Sequence, residues 1–421
     1  MKTLQISVRT RVRIILVVFS VGLAGVFLTG CGGGSSSHSL SNTPSGPTTS
    51  SGANVAPIAV NRGPNGNYVD GAFASVTLCV PSTSTCQTIG GVLVDTGSSG
   101  LRILSSAITI ALPQQKTSGG DPVAECLPFL ASYTWGPVET ADVQIAGEKA
   151  KAVPLQVLSD TEFKVPSGCT NFGLRSADTL QTLGANGILG IGMFAQDCGS
   201  ACTLSGSQNP EMYYQCLSSG CQPIAETLSQ QVTNPVVLFP SDNNGVIVEL
   251  PQISGQAPTV SGSLVFGIGT QSNNGLGATA VYTAPGFAFT TTFNGKSYSG
   301  SFIDSGSNGL FFPDTTGITD CGTNDQGFFC PAMTVNLSAV NQGANGASGT
   351  VKFSIANAAT LFATGDAAFS GLGGPTAALG SPAAVSTDFF DWGLPFFFGR
   401  NVYTAIEGMS TPAGAGPYWA Y

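Results

Sequence analysis

The sequence predicts an all-β chain built as two related halves, and three observations carry that expectation. Charged residues make up only 9% of the chain against 42% hydrophobic residues and 56 glycines; a helical protein would carry far more Glu, Lys and Arg on its exposed faces. Apolar runs such as 263–267 (Ser-Leu-Val-Phe-Gly) and 287–293 (Phe-Ala-Phe-Thr-Thr-Thr-Phe) are short and are punctuated by Gly and Asn, the pattern of many short strands. Two nine-residue segments look like copies of each other. One runs Leu93-Val94-Asp95-Thr96-Gly97-Ser98-Ser99-Gly100-Leu101, the other Phe302-Ile303-Asp304-Ser305-Gly306-Ser307-Asn308-Gly309-Leu310. They stand about one domain length apart, and 421 residues leave room for two domains, each with its own core.

The elements follow in chain order. Residues 1–13 are basic and 14–29 almost entirely apolar, so residues 1–30 read as a signal peptide. The apolar run is shorter than the roughly 20 residues a helical span requires. It ends in Leu28-Thr29-Gly30-Cys31, which resembles the bacterial lipobox. That resemblance implies cleavage before Cys31, lipidation of Cys31, and a stable membrane anchor through several acyl chains. Gly32 stands where inner-membrane lipoproteins of Gram-negative bacteria typically carry Asp, so the address implied is the bacterial cell envelope, the outer membrane rather than the inner. The lipidated Cys and a Gly/Ser/Thr-rich flexible linker occupy 31–56. Residues 57–255 then form an N-terminal half holding the first Asp-Thr-Gly segment. Residues 256–421 form a C-terminal half holding the Asp-Ser-Gly segment.

Composition also excludes functions. The net charge is −9, and four of the fourteen basic residues sit in the leader. The remaining surface is acidic, which disfavours nucleic acid as a partner. The single histidine, His38, falls in the linker, which removes Ser-His-Asp and Cys-His catalysis and most histidine zinc sites. Of 11 cysteines, setting aside Cys31 leaves an even ten, as expected of a disulfide-bonded exported protein. Cys321 and Cys330 are the only two after residue 221 and so pair with each other. Cys79 and Cys86 are placed to close a hairpin. Cys198, Cys202, Cys216 and Cys221 admit a nested pairing, 198 with 221 and 202 with 216, which the sequence does not settle. Their spacing matches no standard zinc pattern, and no metal or cofactor is expected.

The paired segments point to a specific chemistry. Two aspartates on matching glycine loops are what acid–base activation of a water needs: like charges held close share one proton, leaving one base and one acid. The chain here resembles the pepsin-like aspartic peptidases. In that family each lobe's Asp-[Thr/Ser]-Gly loop is threaded by a later strand ending in two apolar residues and Gly. Gly187-Ile188-Leu189-Gly190 matches that strand for the first loop, and Phe397-Phe398-Gly399, within 395–404, for the second. Tyr133-Thr134-Trp135-Gly136 resembles the flap whose tyrosine covers the substrate; the alternative for Tyr133 is a core aromatic. Arg102 stands where the family usually has a Trp that braces this tyrosine.

The resemblance implies an all-β, bilobal pepsin-like fold with a central cleft and with Asp95 and Asp304 as the catalytic pair. It also implies that Thr96 and Ser305 lock the loops together, that Gly97 and Gly306 allow the tight turn, and that Ser98 and Ser307 bond the outer carboxylate oxygens. The expected activity is aspartic endopeptidase acting on an extended polypeptide, by a monomer with no cofactor. The competing expectation is a catalytically silent pepsin-fold lipoprotein that binds or scaffolds a peptide ligand.

Overall fold

The computed structural model describes residues 50–421, except 160–161, 171–172, 314–316, 324 and 380–387. The signal peptide, Cys31 and most of the linker lie outside the described residues. The end of that linker departs from expectation. Val55–Val60 is a strand paired along its length with Val260–Phe266, and the Ser50 N–H and Oγ both bond Glu249. Ala56, Ile58 and Val60 are buried on one face of the strand, a period-2 alternation that the small-residue composition of the stretch masks.

The protein is all-β and pepsin-like, with two lobes. One hydrogen-bonded path runs through the first lobe in the order Val123–Pro128, Ser132–Ile145, Glu148–Leu158, Ser99–Leu104, Gly187–Ile191, Cys86–Asp95 and Ala72–Cys79. It continues through Val55–Val60, Val260–Phe266, Gly245–Leu250, Arg400–Ala405, Tyr418–Ala420 and Val281–Thr283, so this middle stretch draws strands from both halves of the sequence. A separate seven-stranded sheet builds the second lobe: Ser348–Ile355, Val335–Gln342, Phe289–Phe293, Lys296–Ile303, Asp391–Trp392, Leu310–Phe312 and Gly373–Pro375. Phe289, Thr291 and Phe293 alternate inward in the strand expected over 287–293.

The second lobe is held by aromatic rings. Phe312 stacks on Phe390 at 5.3 Å, and Phe353 meets the edge of Trp392 at 5.2 Å. Such pairs add roughly 0.5–1.5 kcal/mol each beyond the area they bury. The Trp392 indole N–H donates to Thr291 Oγ1 at 3.3 Å, which fixes the ring's rotation.

Five disulfides join the ten cysteines of the described chain. Cys79–Cys86 closes the first hairpin and Cys321–Cys330 forms as expected. Cys126–Cys169 ties a strand to a short helix. The nested arrangement of the remaining four does not occur; Cys198 pairs with Cys202 and Cys216 with Cys221. The reason is local. Cys216 and Cys221 are cross-strand partners in the hairpin of Tyr213–Leu217 and Gly220–Pro223, and Cys198 stands at the N-terminal end of one short helical turn that contains Cys202.

Candidate active site

Asp95 ends, and Asp304 directly follows, a strand that runs parallel to a threading strand. Cys86–Asp95 pairs in parallel with Gly187–Ile191, Asp95 opposite Gly190. After a tight turn the chain leaves as Ser99–Leu104, antiparallel to the same strand. In the second lobe Lys296–Ile303 pairs in parallel with Asp391–Trp392, Phe302 opposite Asp391 and Ile303 opposite Trp392, and Leu310–Phe312 leaves antiparallel to it. The second threading residues are therefore Asp391-Trp392-Gly393, not the expected Phe397-Phe398-Gly399. Phe398 instead bridges to Leu250 in the middle sheet. Two tertiary facts set this register: the burial of Trp392 among the phenylalanines and the close approach of Gly393 to the loop. A Cβ on Gly393 would strike the carbonyls of Ser307 and Gly309, and one on Gly190 would lie 2.7 Å from the Gly100 carbonyl.

The two loops interlock. The Thr96 N–H donates to Ser305 Oγ at 3.1 Å, and the Ser305 N–H donates to Thr96 Oγ1 at 3.0 Å. Ser305 Oγ then donates to the Val94 carbonyl at 2.7 Å, and Thr96 Oγ1 to the Ile303 carbonyl at 3.5 Å. Both hydroxyl residues are fully buried. This cross-lobe set brings the aspartates together. Gly97 packs on the Asp304 carboxyl so closely that a Cβ there would overlap it, and a Cβ on Gly306 would lie 2.6 Å from Asp95 Oδ1. Glycine at both positions thus leaves the room in which the two carboxyls meet.

Each carboxyl is cradled by its own loop. Asp95 Oδ1 accepts from the Gly97 N–H at 2.8 Å and the Ser98 N–H at 3.2 Å, and Oδ2 accepts from Ser98 Oγ. Asp304 Oδ1 accepts from the Gly306 N–H at 2.7 Å, and Ser307 Oγ lies 2.8 Å from its Oδ2. Ser307 Oγ also lies 2.6 Å from Asp391 Oδ2. Burial, then Asp95, then Asp391, hold the Asp304 carboxyl well above the usual carboxylate range. Asp391, buried and beside Asp95, is pushed up to about 8, against a lowering by Ser307.

The flap residues are arranged differently from expectation. The hairpin of Val123–Pro128 and Ser132–Ile145 turns at 129–131. Tyr133 lies past the turn, buried in a cluster with Trp135, Cys169 and Tyr214. The carboxylate that acts on its hydroxyl is Asp178, so it occupies the core position that was its alternative. The tyrosine influenced by the aspartates is Tyr68: burial first, then Asp95 and Asp304, raise its pKa. It packs edge-on to Phe73 at 5.3 Å, and its loop is fixed by buried Asp70, which accepts the Phe369 N–H of the second lobe at 2.7 Å. Sequence reading missed Tyr68 because its loop precedes the paired segments and matches no pattern in them.

Arg102 replaces the aromatic brace with charge. It is fully buried and donates to Glu125 Oε1 at 3.0 Å and Asp197 Oδ2 at 2.9 Å. It also donates to the carbonyls of Ser99 and Gly100. Glu125 lies on the first strand of the hairpin, and Phe129 at the turn stands 6.0 Å from the guanidinium. Arg102 thus ties the hairpin to the strand that leaves the Asp95 loop.

The family described as "Protein of unknown function (DUF3443)" matches residues 50–421, so the chain belongs to that family. Among solved structures, the chain is similar to an aspartic proteinase from Irpex lacteus. The TM-score is 0.50 and the identity 15%, over 87% of this chain and 96% of that one. At that identity the likeness shows the fold. No curated protein matches the sequence.

Proposed function

We propose that this member of the DUF3443 family is an aspartic endopeptidase, hydrolysing peptide bonds with one water activated between Asp95 and Asp304. The observation that carries the reading is the pair of carboxyls packed on each other's glycine loops and held there by reciprocal cross-lobe bonds between Thr96 and Ser305. Asp304, with its raised pKa, holds the shared proton. Asp95 accepts a proton from the water as that water attacks the scissile carbonyl, and Asp304 donates to the carbonyl oxygen. The proton on Asp95 then passes to the leaving nitrogen as the C–N bond breaks, and one hydroxyl of the gem-diol returns its proton to Asp304, which restores the pair. A substrate in extended form binds the cleft as an added strand, through backbone hydrogen bonds.

The test uses the chain without its leader, incubated with unfolded polypeptides from pH 2 to 8 and read by mass spectrometry. Cleavage blocked by a statine-type mimic and indifferent to chelators is expected. Asp95→Asn and Asp304→Asn should each abolish it while circular dichroism stays unchanged, because the pair acts as a unit. Absence of cleavage together with absence of mimic binding would favour a silent binding module.

We further propose that the protein works in a bacterial cell envelope, tethered as a monomer through lipidated Cys31; the Leu28–Cys31 pattern supports this. Cys31→Ser should move the protein from the membrane fraction to the soluble fraction or leave its leader uncleaved. An unmodified Cys31 in the wild type, found by mass spectrometry, would end that reading.

A further inference from the structure

The two lobes provide an internal comparison. In the first, Ser98 Oγ serves one carboxyl, that of Asp95, and the threading position beside it is apolar Ile188. In the second, Ser307 Oγ lies 2.8 Å from Asp304 Oδ2 and 2.6 Å from Asp391 Oδ2, and Asp391 fills the place of Ile188. A serine hydroxyl has one hydrogen to donate and lone pairs to accept with. Between two carboxyl oxygens it satisfies both only if one of them carries a proton and donates it.

We propose that Asp391 is a third, proton-bearing carboxyl of the site, a positioning residue that donates through its Oδ2 hydrogen to Ser307 Oγ and so turns the Ser307 hydrogen onto Asp304. The chain Asp391–Ser307–Asp304 is then a directed pair of hydrogen bonds that end on the outer oxygen of the dyad. It favours the ionised form of Asp304 in the half of the cycle after its proton has been given away.

The surroundings support a neutral Asp391. Its side chain is 1% exposed, and its Oδ1 has no hydrogen-bond partner among the described residues. The strands packed on it present Phe302, Ile303, Leu310 and Phe311 at the paired positions, none of them titratable. The titratable groups that act on it are acidic: Asp95 on its own ionisation, and Asp304, which it raises in turn. No lysine or arginine pairs with it among the described residues. Burial without a counter-ion disfavours the charged form. Trp392, fixed in the aromatic cluster, points its neighbour's side chain to the opposite face of the strand, toward the loop.

The proton location does not depend on the peptidase reading; only its catalytic consequence rests on that reading, and the tests separate the two. Neutron diffraction on the wild type places hydrogens directly. A hydrogen on Asp391 with the Ser307 hydrogen directed at Asp304 is expected, and a Ser307 hydrogen directed at an ionised Asp391 overturns the proposal. In solution, protein labelled with 13C at the aspartate side-chain carboxyls should show one fewer protonated carboxyl at pH 6 in Asp391→Asn than in the wild type; equal numbers overturn it. Asn mimics the neutral acid, because its amide N–H donates to Ser307. Where cleavage is measurable, Asp391→Asn should keep kcat within about threefold of wild type at pH 6 and lose less activity than wild type between pH 7 and 9. Asp391→Ala should lose roughly tenfold in kcat with little change in KM. Identical pH profiles for wild type and Asp391→Asn would also overturn the proposal.

Discussion

Replacing Arg102 by Met removes the one cation that pairs with two buried acids among the described residues. In the wild type the charges balance if one of the two carboxyls is neutral, and burial, opposed by Arg102, holds Glu125 well above the usual carboxylate range. Arg102 donates to Glu125 at 3.0 Å and to Asp197 at 2.9 Å, and Asp197 also accepts from the Tyr213 hydroxyl at 2.7 Å. Without the guanidinium, the remaining carboxylate either stays charged and unpaired or takes up a proton. Breaking a buried pair by removing one partner costs about 3–5 kcal/mol. Holding one more carboxyl protonated at pH 7, about two to three units above its ordinary range, costs about 3–4 kcal/mol at about 1.4 kcal/mol per unit. The two routes agree. At pH 4 the second cost nearly vanishes, leaving about 1–2 kcal/mol for the unsatisfied carbonyls of Ser99 and Gly100. The sign follows from linkage. The variant's acid is protonated when folded and ionised when unfolded, so its stability is full below the unfolded pKa and is lost as pH rises. Urea unfolding with the disulfides intact, at pH 4 and pH 7, measures both numbers. A penalty below about 1 kcal/mol at pH 7, or an equal penalty at both pH values, would refute the buried-charge account. The triple variant Arg102→Met, Glu125→Gln, Asp197→Asn should recover more than half of the pH 7 loss, because it removes the charges together with the cation.

Thr96→Val keeps the shape of the cross-lobe clasp but leaves the buried Ser305 N–H without its acceptor; urea titration should show a loss of about 1–3 kcal/mol, and the mimic's affinity should fall with it. Several acids have raised pKa values: Glu148, buried beside Asp242, is pushed up to about 7, and Asp391 up to about 8. The fold therefore holds more protons than the unfolded chain between the ordinary carboxylate range and these values. Melting temperature should be highest near pH 4 and fall as pH rises through 7–8; a maximum at neutral pH would contradict it. Replacing both Cys321 and Cys330 by Ala opens a crosslink between residues 9 apart, with an expected cost of about 2–3 kcal/mol in a non-reducing urea titration.

The two Asp-hydroxyl-Gly-hydroxyl segments were legible because their chemistry is local: each loop's glycine, hydroxyls and aspartate lie within four residues of one another. The strand class and the Cys321–Cys330 pair were legible for similar reasons, the one from short apolar runs and the other by elimination. Tyr68 was not legible in the sequence, which pointed to Tyr133 alone. The position of Tyr68 depends on the loop that Asp70 fastens to Phe369, 299 positions away.

By itself, then, the sequence determined the two-lobed all-β plan and the identity of the facing aspartates, since repeated local patterns encode both. The partner of the second loop was decided only in three dimensions. Phe397-Phe398-Gly399 and Asp391-Trp392-Gly393 compete for one role, and an apolar-apolar-Gly pattern favours the wrong one. Parallel pairing between distant strands has no local register signal; it is set by which residue buries best on the far side. Trp392 wins that contest by filling the space between Phe353, Phe390 and Phe396. In doing so it carries a third carboxyl, Asp391, to within 2.6 Å of Ser307, a placement that tertiary packing alone determines.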